Sequence, residues 1–491
     1  MGKPKRFPER ETRQLYLGST ASLSGEPAEP QHRVNADDLV THGVIVGMTG
    51  SGKTGLLTVF VEEALRAGVP TLALDIKGDL PNLLLACPDF GAEHYEAWVP
   101  EDQREATAAQ RREKLGLWGI DEAVLRAFVD TTAIHVITPG SQVGEPLHLL
   151  SSIERRSKLW DTDVDAAQTA LSAAISLLLR MVGRDPEPAQ SKEHVLLSVL
   201  AERRLRMGHD APLGDLVRDV EEPPITEIGV QEMDAFMSPR ERNELAAALN
   251  GILAAPAFAS WRTGATLDVG AWMARGPDNK TPLTIVSVAH LDDQQRELVL
   301  SIILEEFAVW MRTQPGRDGL RGLLVFDEVY GFLPPHPANP ATKRPIVSLM
   351  KQARAFGVGV LLATQNPMDI DYRALSNAGV WCIGRLQTDA DRHRVLDALA
   401  TSTGFGELPS EMQPKLPTSS KSAKLKRARP LSESAILADI VKRIPPRWFL
   451  MRNVHDATMR LLQSRHTLSV LRGPMTKAEI QRALLRRQAS G

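Results

Sequence analysis

The chain has 491 residues, 43% of them hydrophobic and 24% charged, with a net charge of −2. That composition excludes a fibrous or low-complexity polymer, and the length accommodates two to four domains. Two cysteines, Cys87 and Cys382, do not make a disulfide framework and fit a reducing compartment.

Residues 1–35 are polar with scattered Pro and Gly, and read as an extended arm holding one short strand at 14–18. No apolar segment follows Met1-Gly2-Lys3-Pro4-Lys5-Arg6, so no signal peptide is expected. Arg6 stands where a myristoylation signal has Ser or Thr. The apolar run Gly43-Val44-Ile45-Val46 then leads into Gly47-Met48-Thr49-Gly50-Ser51-Gly52-Lys53-Thr54-Gly55, and a helical pattern follows over 56–67. Strand, glycine loop and helix in this order are the context in which G-x-x-x-x-G-K-[ST] binds a nucleoside triphosphate. The glycines let successive N–H groups face phosphate oxygens, and the helix N-terminus adds partial positive charge. Lys53 is placed to reach the β- and γ-phosphates, and the Thr54 hydroxyl to ligate Mg2+.

Buried-type strand signals follow at 71–75 and 134–138, with a charged helical stretch at 102–128 between them. Residues 151–275 change character: helical periodicity at 166–181, 193–207 and 241–254 reads as an all-helical insertion. The longest apolar run, 173–182, is broken by Ser176 and Arg180 and falls short of the ~18 residues of a membrane span. A cytoplasmic protein with no membrane partner is therefore expected. Strands resume at 283–288, then 322–326, 358–363 and 380–383, with a helix at 294–311. Alternating strands and helices predict an α/β fold with a mostly parallel sheet covered on both faces. Residues 401–434, with Lys421, Lys424, Lys426, Arg427 and Arg429, read as a basic flexible linker, followed by a strand pair and a basic tail. Residues 401–491 carry 17 Lys+Arg against 6 Asp+Glu, whereas residues 1–400 carry 41 against 54. Such a basic end marks either a polyanion-binding surface or a solvated face.

Other candidate catalytic residues lie at strand ends. Leu323-Leu324-Val325-Phe326-Asp327-Glu328 is an apolar strand ending in two carboxylates. In P-loop enzymes the first holds the Mg2+ sphere, and a Glu directly after it is placed to polarise water. Gln365, after the 358–363 strand, is a candidate for the γ-phosphate or the lytic water, or else part of a turn built on Asn366-Pro367. Asp75, in Asp75-Ile76-Lys77-Gly78-Asp79, is either near the nucleotide or a turn former. Arg354 and Arg385 are each either an arginine finger for a neighbouring subunit or a surface ion pair.

These segments, together with Gln352-Ala353-Arg354-Ala355-Phe356-Gly357 and Ala363-Thr364-Gln365-Asn366-Pro367, resemble the HerA-like ATPases of the HerA–FtsK superfamily of hexameric motors. The resemblance covers roughly residues 35–400 and the final strand pair to about Pro474. It implies a RecA-like P-loop core that binds ATP and Mg2+ and assembles as a ring, a hexamer, with ATP between subunits and double-stranded DNA in the channel. It also implies Lys53 and Thr54 on phosphate and Mg2+, Asp327 on Mg2+, Glu328 as base, Gln365 as sensor and Arg354 as the finger acting in trans. Family members often act with a nuclease or another effector protein. HerA proper carries an N-terminal β-barrel that docks its nuclease, and 35 residues are too few for one. The expected layout is an arm at 1–35, core at 36–150 and 276–400, helical insertion at 151–275, linker at 401–434 and strand pair with tail at 435–491. Two alternatives to a DNA motor stay open: a protein-remodelling or secretion-type ATPase, and a nucleotide-switch subunit of a multi-protein defence complex.

Overall fold

The computed structural model describes residues 13–184, 186–188, 190–405 and 433–490. The five basic residues expected in the linker, Lys421 to Arg429, lie outside the described residues. The chain divides into two units. The first takes residues up to His135, Met273–Ile285 and Gly316–Met475.

An 11-stranded sheet organises this unit. In chain order its strands are β1 (Gln14–Ala21), β2 (His32–Asn35), β3 (Gly43–Val46), β4 (Thr71–Asp75), β5 (Thr132–Ile137), β6 (Thr281–Ser287), β7 (Gly322–Asp327), β8 (Val358–Thr364), β9 (Val380–Ile383), β10 (Trp448–Asn453) and β11 (Arg460–Ser464). The spatial order is β2-β1-β11-β10-β9-β3-β8-β7-β4-β6-β5. The central strands β9, β3, β8, β7 and β4 are mutually parallel. All residues of β3, β4, β7 and β8 are buried, which is why they read as unbroken apolar runs rather than alternating ones. Each buried Leu, Ile or Val contributes about 1.5–3 kcal/mol.

Beyond β9 the sheet turns antiparallel: β9 pairs with β10, β10 with β11, β11 with β1, and β1 with β2. The segment expected as an arm thus contributes β1 and β2 to the sheet, with Gly18 opposite Ser464. The helix after β3, α1 (Lys53–Arg66), is locked to this extension through buried charge. Arg465, just past β11, donates from Nη1 to Glu62 Oε2 at 3.0 Å and from Nη2 to Glu63 Oε1 at 2.9 Å.

The second unit comprises Val136–Trp272, Val286–Pro315 and residues from Thr476 onward. It is mainly helical, with Val164–Met181, Lys192–Arg206, Leu213–Glu221, Pro239–Ala254 and Asp293–Arg312 its main helices. Glu154 ties its segments together by accepting from His148 Nε2, from the Arg262 guanidinium and from the Leu213 N–H. Burial alone raises the Glu154 carboxyl, but these partners outweigh it and hold the pKa at about 2. Among the described residues no helix is long and apolar enough to cross a membrane.

Candidate nucleotide site

β3 ends at Val46, and the chain turns through residues 47–52 into α1. Three backbone bonds fix this turn to its neighbours: Gly47 N–H donates to Thr364 O at 3.2 Å, Met48 N–H to Arg385 O at 3.0 Å, and Arg447 N–H to Ser51 O at 2.8 Å. Gly50 and Gly52 have φ of +79° and +93°, values an L side chain rarely adopts. At Gly52 a Cβ would also sit 3.0 Å from Arg447 Cα, so only glycine fits there. No side chain caps the start of α1. The first-turn N–H groups are therefore available to an anion.

Lys53 is 3% exposed, and its Nζ lies 2.9 Å from Asp327 Oδ1 and 3.6 Å from Glu328 Oε2. Successive residues of a strand point to opposite faces. Asp327 and Glu328 nonetheless converge on one ammonium because Glu328 leaves the strand with φ +64°. Its carboxylate is then held in place: Oε1 accepts from Gln365 N–H at 3.0 Å and Thr364 Oγ1 at 3.3 Å, and Oε2 pairs with Lys77 Nζ at 2.6 Å. Burial pushes the Glu328 carboxyl up, but Lys53, Lys77 and the Gln365 N–H outweigh it and hold it below the usual range. It is ionised at neutral pH, as a base must be.

Asp327 is fully buried, and its Oδ2 has no hydrogen-bond partner among the described residues. A buried, unpaired carboxylate oxygen is costly unless a ligand completes it. With the half-buried Thr54 next to Lys53, this donor set fits a hard divalent cation such as Mg2+. Gln365 is tied to the loop itself, its Oε1 accepting from Thr49 Oγ1 at 2.8 Å. Met48, Ser51 and Gly55 belong to the same turn and first helical turn; Ser51 Oγ is buried and has no hydrogen-bond partner among the described residues.

The two arginines occupy different places. Arg385 follows β9, and its carbonyl holds Met48, so it stands beside the loop in its own subunit. Arg354 lies in the turn before β8, at the opposite end of a strand of seven residues, about 20 Å long at ~3.3 Å per residue. Both are exposed, and among the described residues neither guanidinium has a hydrogen-bond or ion-pair partner. Arg354 sits near His42, whose imidazole is pushed down to about 4 chiefly by burial and further by that guanidinium.

Asp75 resolves as a turn former: its buried Oδ1 accepts from the N–H groups of Gly78, Asp79 and Leu80. Two basic residues at the site, Lys77 and Arg447, are not among the candidates named from the sequence. Lys77 lies on the turn that Asp75 shapes. Arg447 has φ +68°, donates its N–H to Ser51 O at 2.8 Å and directs its guanidinium to His466 Nε2 at 2.8 Å. The Asp75-x-Lys77-Gly78 spacing is a signal for the first; nothing local marks the second.

A glycine loop between two parallel strands, a lysine on the paired carboxylates of the next strand but one and a glutamine bonded to the loop make the arrangement of a P-loop ATPase with a RecA-like sheet. The family model described as Helicase HerA-like C-terminal matches residues 21–90, which include the loop and the Asp75 turn. Over those residues the chain is similar to the HerA-like ATPases. Among solved structures, the plasmid coupling protein TrwB bound to a non-hydrolysable ATP analogue is similar at 13% identity and TM-score 0.50, over 96% of this chain and 98% of that one. VirB4 of Thermoanaerobacter pseudethanolicus is similar at 14% identity and TM-score 0.49, over 94% and 98%. TrwB bound to ADP and Mg2+ matches at 12% identity and TM-score 0.48, over 96% and 98%. No curated protein matches the sequence.

Proposed function

We propose that the chain hydrolyses ATP with Mg2+ and works as a ring-forming motor on double-stranded DNA. The observation that carries the hydrolytic part is the convergence of Asp327 and Glu328 on Lys53 at the mouth of the glycine loop. In this reading the loop N–H groups and Lys53 bind the phosphates, and Thr54 and Asp327 hold the metal. Mg2+ held there would supply neutralisation of the phosphate charge. Glu328 accepts the proton of the attacking water, and Gln365 reports the phosphate state to Thr49 on the loop. A carboxylate base beside the loop favours water over another acceptor.

The unpaired Arg354 supports a ring. It is too far along β8 to serve its own loop, and an exposed guanidinium with no partner suits a neighbour's γ-phosphate. Arg354→Ala is expected to lower turnover on the order of 10³-fold while ATP binding persists. Mixing that variant with Glu328→Gln subunits restores partial activity, because the Glu328→Gln subunits still lend Arg354 to neighbours that keep Glu328. A mixture as inactive as its components would remove the trans assignment.

The DNA part rests on the family and on the basic 401–491 segment. Steady-state hydrolysis with and without linear duplex DNA tests it. We expect stimulation at low salt that fades as salt rises, the mark of phosphate contacts. Turnover indifferent to DNA would transfer the same ATPase to protein remodelling or switching.

A further inference from the structure

Lys77 has no part in the hydrolysis scheme above, yet its contact with Glu328 is the shortest at the site. It sits on the turn between β4 and the short helix Leu80–Leu85, followed by Gly78 at φ +90°. The backbone of that turn is held by the Asp75 carboxylate, by Met475 N–H on Gly78 O and by Asn82 on Asp79 O, so the lysine side chain is not needed to hold it. Instead Nζ reaches to 2.6 Å from Glu328 Oε2, the oxygen that also lies 3.6 Å from Lys53 Nζ. One carboxylate oxygen is thus bracketed by two ammonium groups, and one of these is the phosphate lysine of the loop. The pair is asymmetric: the Glu328 side chain is 9% exposed and the Lys77 side chain 34%. The lysine has room to swing on its four-carbon stem, and the carboxylate does not.

With Lys77 bonded to Oε2, Lys53 close behind it, and Gln365 N–H and Thr364 Oγ1 on Oε1, the carboxylate has little room left for a water molecule. For Glu328 to take a proton, Lys77 has to leave, and only a stronger anion nearby draws it away. The third phosphate of a nucleotide on the loop is such an anion, next to Lys53 and within reach of the same stem. We propose that Lys77 is a positioning residue that distinguishes nucleoside triphosphates from diphosphates. It pairs with Glu328 when the loop holds no γ-phosphate and transfers to the γ-phosphoryl oxygens when one arrives, freeing the base. The inference rests on the hydrolytic reading of Glu328 and adds a gate to it: the base is released only in a loaded site. Asp75 then has a purpose beyond its turn, since it fixes the point from which the lysine swings.

The test compares the full chain with Lys77→Met and Lys77→Arg, measuring the affinity of ADP and of the β,γ-imido analogue of ATP with Mg2+, and steady-state kcat and KM. Lys77→Met is expected to bind ADP as the parent does. It should bind the analogue about tenfold more weakly, the worth of a lost charge-assisted hydrogen bond, and lose kcat. Lys77→Arg keeps the charge and should recover most of the preference for the analogue. Equal weakening of both ligands by Lys77→Met would make the lysine a structural residue and overturn the proposal, as would unchanged kcat and preference. A parent protein that binds neither nucleotide would instead bring down the hydrolytic reading itself, and Lys53→Ala, expected to lose both ligands, separates the two failures.

Discussion

Glu328→Gln is expected to cut ATP hydrolysis by about 10²–10⁴-fold while leaving ATP binding intact, the range a lost general base commands. The substitution is nearly isosteric, so the acceptor oxygen that takes the Gln365 N–H at 3.0 Å is retained. Lys53 and Asp327 keep their 2.9 Å contact, and the phosphate grip of the loop is untouched. Only the ability to take a proton is removed. The variant should therefore retain ATP through gel filtration and release ADP slowly in a single-turnover assay. Hydrolysis at the parent rate would show that water is activated elsewhere, and would leave the positive φ of Glu328 without a purpose. That strain, about 1–3 kcal/mol for a non-glycine residue, is the feature that turns two neighbouring carboxylates onto one lysine.

The convergence illustrates what a sequence can and cannot disclose. The glycine loop was legible because its spacing is local: strand, turn and helix are contiguous, and Gly50 and Gly52 adopt the conformations that call for glycine. The central strands were legible because burial on both faces demands unbroken apolar runs such as Thr71–Asp75 and Val358–Thr364. Asp327 followed from its strand end. Other features depend on long-range register, which no local pattern encodes. β1 pairs with β11 more than 400 residues later, so 14–35 looked like an arm because its partner strand was out of sight. Arg447 meets the loop only because β10 begins beside it, and its positive φ carries no glycine to announce it. Lys77 was visible as part of Asp75-Ile76-Lys77-Gly78-Asp79, but its aim is set by the turn geometry. Arg354 and Arg385 looked equivalent in the sequence. The sheet separates them, because one precedes its strand and the other follows it.

The second large effect concerns stability, and it comes from that same long-range stitching. Replacing Arg465 by Leu is expected to destabilise the chain by about 3–5 kcal/mol, the cost of leaving buried charges without their partner. Arg465 and Glu62 are both 0% exposed, and Glu63 is 2% exposed. The two glutamates sit on α1, whose first residue is Lys53, while the arginine follows β11. Glu62 also accepts the N–H groups of Leu468 and Ser469, and Glu63 that of Tyr16, so removing the guanidinium strands carboxylates that the chain is folded around. At about 2–4 °C per kcal/mol the midpoint of thermal unfolding should fall by many degrees. An exposed pair makes the control: Arg240 and Glu244, at 89% and 51% exposed, should contribute well under about 1 kcal/mol when Arg240 is replaced by Ala. Salt sharpens the contrast, because screening reaches the surface pair and not the buried one. A midpoint for Arg465→Leu within a degree of the parent would mean that water reaches the cluster. The large shift would instead establish that the helix beginning at Lys53 is anchored through Glu62 and Glu63 to the residue that follows β11.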